Sequence, residues 1–295
     1  MINLIRMSLL FFMIVAIACG QKEEAGKRKD CGVLEYDPIN EASGIAAGRL
    51  NKDVLWTHND SGDSSRIFAF STTGKHLAEV TLKGTHNRDW EDIAIGPGPK
   101  DGVSYIYIGE IGDNGSRYAT KYIYRIEEPK LEMGASPHKI VLENFDILAY
   151  QYPDSNRDAE TLLVDPWNKD IYVVSKREEK VHVYRAAWPQ SFELRSPGKV
   201  IYLEYITKLN NTWINGGDIS ANGKKILLKT QEHIFLWKRK KGESLKAAFH
   251  RDPVTLPYVP EPLGEAVCWS VDGKGYYTVS EEVNTVPAHL YYYKF

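Results

Sequence analysis

Ser43-Gly44-Ile45-Ala46, Glu91-Asp92-Ile93-Ala94, Glu160-Thr161-Leu162-Leu163, Gly217-Asp218-Ile219-Ser220 and Glu265-Ala266-Val267-Cys268 are copies of one phrase. Each opens on a small or acidic residue, runs on as a short apolar stretch, and ends at a turn carrying Asn, Asp or Gly. A second strand is expected after each turn, at residues 54–58, 104–109, 170–175, 225–230 and 275–280. A third follows at 66–71, 121–127, 180–185, 233–238 and 289–295. Outer strands are expected at 75–82, 139–150 and 199–206, with a fainter candidate at 252–259. Short strands at even spacing, without an amphipathic helix between them, indicate a sandwich, barrel or propeller. The fivefold recurrence of one inner-strand phrase selects the all-β propeller, with five blades and six as the alternative. The last unit lacks its own fourth strand. Residues 32–37 are expected to supply it, closing the ring and covering two sheet edges.

The first residues are of a different kind. Met7 to Ala18, in a chain of 295 residues, is an apolar run with Ser8 as its one polar residue. It is too short to cross a bilayer, which takes about 20 residues, but fits a signal-peptide core. Ala16-Ile17-Ala18-Cys19 follows and resembles the lipobox of bacterial lipoproteins, with Ala where Leu is usual. That resemblance implies cleavage before Cys19 and acylation of Cys19 as a lipid anchor. Gly20 is not an aspartate, so retention at an inner membrane is not signalled, and the outer membrane or cell surface is the expected location. The expected division is a signal peptide at 1–18, a polar tether at 19–31 and a propeller at 32–295.

The formal net charge is -2, which gives no bulk basic field for nucleic acid. Nothing in the composition demands an oligomer, and a monomer is expected. Cys31 and Cys268 would fall on the outermost and innermost strands of one blade, about three strand spacings of 4.8 Å apart. A disulfide needs its Cα atoms within about 7 Å, so pairing and this strand placement are in tension.

In a propeller the start of each inner strand and the end of its antiparallel neighbour meet at one channel mouth. Inner-strand starts place Glu41, Asp89, Glu91, Asp92, Asp158, Glu160, Asp218 and Glu265 there; second-strand ends and the loops beyond add Asp60, Glu110, Asp113, Lys176 and Glu281. So many carboxylates on one rim raise each other's pKa unless cations neutralise them. Their hard oxygens suit calcium, or magnesium with retained waters. The candidate metal ligands are Asp60, Glu91, Asp92, Glu110, Asp113, Glu160, Asp218, Glu265 and Glu281, with calcium the expected ion. Structural work is the competing account, because Asp and Glu at strand starts also bond backbone amides. No loop matches the Asp-x-Asp-x-Asp-Gly pattern, and Gly-x-Ser-x-Gly, His-Glu-x-x-His and Cys-x-x-Cys are absent from the sequence. His58 could act as a base at the mouth, although a lone His at a strand end is more often structural. Trp56, Trp90, Trp213 and Trp237 are expected as packing between blades.

His58-Asn59-Asp60-Ser61-Gly62, Asp89-Trp90-Glu91-Asp92-Ile93-Ala94, Gly112-Asp113-Asn114 and Tyr124-Arg125-Ile126-Glu127-Glu128-Pro129 together resemble a bacterial group of secreted propeller-like proteins with no assigned reaction. More distantly, the Glu-Asp-Ile-Ala phrase and the acidic rim look like the β-propeller phytases and phytase-like esterases. In those, calcium bridges rim carboxylates to substrate phosphates. That resemblance implies such a role for Glu91, Asp92, Glu160, Asp218 and Glu265, while the phytases' phosphate-binding cations have no counterpart here. Three readings follow. One is a metal-dependent hydrolase of a phosphoester, ester or lactone, acting on an anionic small molecule. Another is a scaffold binding an envelope protein, with metal serving only stability. The third is a glycan-binding envelope protein.

Overall fold

The computed structural model describes residues 26–132, 134 and 136–295. The signal segment, Cys19 and most of the tether lie outside the described residues. Five small antiparallel sheets follow one another along the chain and form a five-bladed propeller. The innermost strands are Ala42–Ala47, Trp90–Pro97, Ala159–Val164, Gly216–Ile219 and Gly264–Trp269. Each packs on the next, and the fifth packs on the first, so the ring is closed.

Strand periodicity builds the core. Successive side chains point to opposite faces of a strand, so neighbouring residues fill neighbouring gaps between blades. Leu162 joins the apolar cluster between blades two and three, whereas Leu163 joins the one between blades three and four. Leu228 likewise faces blade three, while Leu227 faces blade five. Each gap holds one apolar cluster, and no single central core exists. Trp56, Trp90 and Trp237 are buried in these gaps, as the sequence implies.

The ring closes on the N-terminal side of the chain, as expected, but with different residues. Arg28–Val33 pairs antiparallel with His289–Lys294, so the sheet order of blade five ends on the N-terminal strand. The closing strand therefore begins inside the segment read as tether and stops short of Asp37. Leu34, just beyond the strand, packs in the gap between blades five and one. Cys31 and Cys268 sit on the outermost and innermost strands of this sheet and are not bridged to each other.

Two outer strands are split. The stretch expected at 139–150 is His138–Leu142, which runs parallel to the outer strand His76–Leu82 of blade one, followed by Asp146–Gln151 in blade two. The stretch expected at 199–206 divides likewise: Ile201–Tyr202 runs parallel to Asp146–Gln151, and Glu204–Lys208 completes blade three. Incoming chain thus pairs with the exposed edge of the preceding blade before crossing to its own, which covers edges that would otherwise template aggregation. One short helix, Leu245–Phe249, precedes the last strand of blade four, Val254–Leu256.

Candidate metal site at the channel mouth

The inner-strand phrase contains two adjacent positions with different fates. At the first stand Ser43, Glu91, Glu160, Gly217 and Glu265; at the second stand Gly44, Asp92, Thr161, Asp218 and Ala266. The pairing register slips across the first position in blades one, two, three and five, so Ser43, Glu91, Glu160 and Glu265 are each the extra residue of a β-bulge. Blade four keeps regular register through Gly217. A bulge leaves its extra residue outside the ladder and re-aims the side chain. Here the re-aimed carboxylates of Glu91, Glu160 and Glu265 converge, with one oxygen from each within 4.8 Å of the others. Glu91 also belongs to a second group, with Asp60 and Asp89, of the same compactness. Oxygen ligands 2.3–2.6 Å from one calcium ion lie within about 5 Å of each other, so both groups fit that ion's dimensions.

The second position does structural work. Asp92 accepts the N–H of Leu162 in the next blade at 2.8 Å and that of Ile93 at 2.8 Å. Asp218 accepts the N–H of Trp269, again one blade on, at 2.8 Å. These two aspartates staple inner strand to inner strand and are not part of either carboxylate group. Ser43 makes the equivalent link in blade one, its hydroxyl donating to the Glu91 carbonyl at 2.7 Å.

Two more of the expected ligands are also engaged elsewhere. Asp113 accepts the backbone N–H groups of Arg117 and Tyr118 and pairs with the fully buried Lys121 at 2.9 Å. Although burial opposes it, these bonds hold the Asp113 pKa below the ordinary value. Glu110 receives the Tyr124 hydroxyl at 2.8 Å and faces Arg88 at 3.3 Å. Glu281 lies beside the trio, and burial, Glu265 and Asp60 raise its pKa to about 8. His58 is fully buried with its ring edge-on to Trp90, and burial lowers its pKa to about 4, so it is neutral packing.

The electrostatics of the trio are those of a site short of positive charge. Burial raises the Glu91 pKa well above normal, with Glu160, Asp60 and Asp89 adding to the effect. Burial and Glu265 bring Glu160 to about 8 against the pull of Lys176. Asp89 is raised to about 6 by burial, Asp60 and Asp158. Mutual repulsion is therefore real, but loss of water comes first in every case. One oxygen of Glu160, Oε2, is buried with no hydrogen-bond partner.

The ammonium that contacts the trio was not singled out in the sequence as a partner of these acids. Lys176, at the end of blade three's second strand, contacts Glu160 and lies 3.9 Å from Glu265. Burial works against its charge, but Glu160, Glu265 and Glu91 outweigh that and raise its pKa. Lys176 also borders a cavity of about 630 Å³ at the rim of blades three and four. Trp213 stands in that cavity 52% exposed, contrary to the expectation that it packs between blades. No protein-family model matches the chain, and no curated protein matches it.

Proposed function

We propose that the mouth is a divalent-cation site, calcium being the ion of best fit, on a propeller held at the outer face of a bacterial envelope through Cys19. The observation that carries this reading is the convergence of three bulge-borne carboxylates, one with an unpartnered buried oxygen, from blades two, three and five. Glu91, Glu160 and Glu265 would hold the ion, with Asp60 and Asp89 completing an all-oxygen set beside Glu91. Soft ligands are missing from both groups, which favours calcium or magnesium over zinc or copper.

A cation there would have two consequences. It would offset the burial and mutual repulsion that raise the pKa values of the trio, and it would present a Lewis acid at the mouth, able to polarise a phosphoryl or carbonyl oxygen. Hydrolysis of a phosphoester, ester or lactone is the reaction class such a site could carry. The test is a calcium titration of the mature chain, freed of metal with a chelator, followed by melting temperature. An ion that binds only the native state must raise it, by about 2.7 kcal/mol of stability at a hundredfold excess over Kd. A flat response at millimolar calcium and magnesium would remove the cation reading. Retained calcium binding in Glu91→Gln, Glu160→Gln and Glu265→Gln alike would remove this assignment of ligands.

A further inference from the structure

We propose that the cavity between blades three and four is a sugar-binding subsite in which the Trp213 indole is the stacking platform. Its volume, about 630 Å³, falls in the range of small-ligand sites, roughly 300–1,000 Å³. A buried or packed tryptophan would need no explanation, but this one is 52% exposed and sits beside Phe235, which is itself only partly buried. Its backbone is in the left-handed region at φ 56°, a conformation that costs a non-glycine residue about 1 kcal/mol or more. The Trp213 backbone N–H donates to the Lys176 carbonyl at 2.7 Å and anchors the residue's main chain beside Lys176. Arg177 and Lys176 lie 5.1 and 5.8 Å from the ring centroid, close enough for cation–π attraction to orient it.

The rest of the wall selects the ligand. Asn211, Thr212, Thr230 and Gln231 supply amide and hydroxyl groups around the aromatic face, and Glu232 and His233 complete a wall of hydrogen-bonding groups suited to hydroxyls. Asn215 is also a wall residue; it is buried, and its Oδ1 has no hydrogen-bond partner. An unsatisfied buried acceptor costs about 1–3 kcal/mol and calls for a donor. A pyranose meets both demands: apolar C–H faces for the indole, and a ring of hydroxyls that donate and accept. A nucleotide would also stack, but in the metal-free protein phosphates near Lys176 would approach the acidic mouth, and like charges repel. The Lys176 ammonium and the Arg177 guanidinium do not offset that, since Glu160 and Glu265 already engage the first and Asp158 the second.

The probes are glucose, galactose, mannose, N-acetylglucosamine and β-1,4-linked oligomers of the last, tested on the mature chain by saturation-transfer NMR and indole fluorescence. At least one should give transfer from its C–H protons and quench fluorescence. Trp213→Ala should weaken that binding about tenfold or more, and Trp213→Phe should restore part of it, as loss of about 1.4 kcal/mol of stacking predicts. Glu160→Gln, which disables the proposed cation site, should leave sugar binding in place, as should chelator. No response from any probe at about 10 mM, tenfold above a weak Kd of about 1 mM, would overturn the proposal. So would equal binding by wild type and Trp213→Ala.

Discussion

Replacing Lys176 by Met should tighten calcium binding at the mouth. Its ammonium touches Glu160 and lies 3.9 Å from Glu265, where it occupies part of the field a metal would use. If the lysine stayed in place, a divalent ion about 5 Å away would be repelled by about 7 kcal/mol at an effective dielectric of 20. The side chain can instead swing toward solvent to about 10 Å, where higher dielectric cuts the repulsion to about 2 kcal/mol. The second figure is the one to expect, because the lower-energy route is taken: roughly thirtyfold tighter calcium in Lys176→Met. Isothermal titration at pH 7.5, on protein whose circular dichroism matches wild type, measures it. Glu160→Gln should move affinity the other way. Without calcium, Lys176→Met should melt below wild type, since buried carboxylates lose a neutralising partner; with saturating calcium the order should reverse. Unchanged or weaker calcium binding in a folded Lys176→Met protein would refute the reasoning, because it would mean the ion does not share the lysine's field.

The remaining predictions concern pH, staples and closure. Glu160 and Glu281, both near 8, have folded pKa values above their unfolded ones, so their favourable share of stability is present at acid pH. It is lost as pH rises from about 4.5 through about 8; melting temperature in chelator should fall across that window, and calcium should flatten the fall. Asp92 accepts the Ile93 N–H on one carboxylate oxygen and the Leu162 N–H on the other, so Asp92→Asn, whose amide nitrogen cannot accept, should cost about 1–3 kcal/mol, and Asp92→Ala about 2–4 kcal/mol by denaturant melts. Breaking the Lys121–Asp113 pair with Asp113→Ala strands a fully buried ammonium and should cost about 3–5 kcal/mol. A chain starting at Gly32 loses most of the strand Arg28–Val33 and should melt well below one starting before Gly26, whose N–H bonds the Lys294 carbonyl at 2.9 Å.

The blade count was legible because the inner strands repeat a phrase whose period survives any shift of loops. Which carboxylates of that phrase meet was not legible. Glu91 and Asp92 are neighbours of similar chemistry, and a strand sends neighbours to opposite sides; only the bulge decides which one reaches the mouth. A bulge is a property of two paired strands, and nothing in Glu91-Asp92-Ile93-Ala94 alone marks it. Reading all copies together would have offered a signal: the first position carries Glu in blades two, three and five, while Asp at the second position recurs only in blades two and four. The bonds that Asp113 and Glu110 make away from the trio were hidden for a related reason. Their partners, Lys121 and Tyr124, come from the third strand of the same blade, at pairings set by register that loop composition does not reveal.

Blade four shows how the two proposed sites depend on one local choice. Its inner strand has no bulge and carries Gly217 where three other blades carry glutamate. A Cβ at Gly217 would stand 2.6 Å from the Leu227 carbonyl oxygen and 2.9 Å from the Thr161 methyl, so no side chain can be placed there without moving backbone. The close approach that excludes a side chain also excludes a further carboxylate from the mouth. Lys176, from blade three, is held against Glu160 and Glu265, the glutamates of the blades on either side of blade four. The cavity with Trp213 opens on this same blade, walled by Thr230, Gln231 and Asn215. A glutamate at position 217, were it tolerated, would add negative charge beside Lys176 and the cavity wall. Leaving that seat empty keeps a further carboxylate off the blade that walls the aromatic platform, with Lys176 bordering both sites.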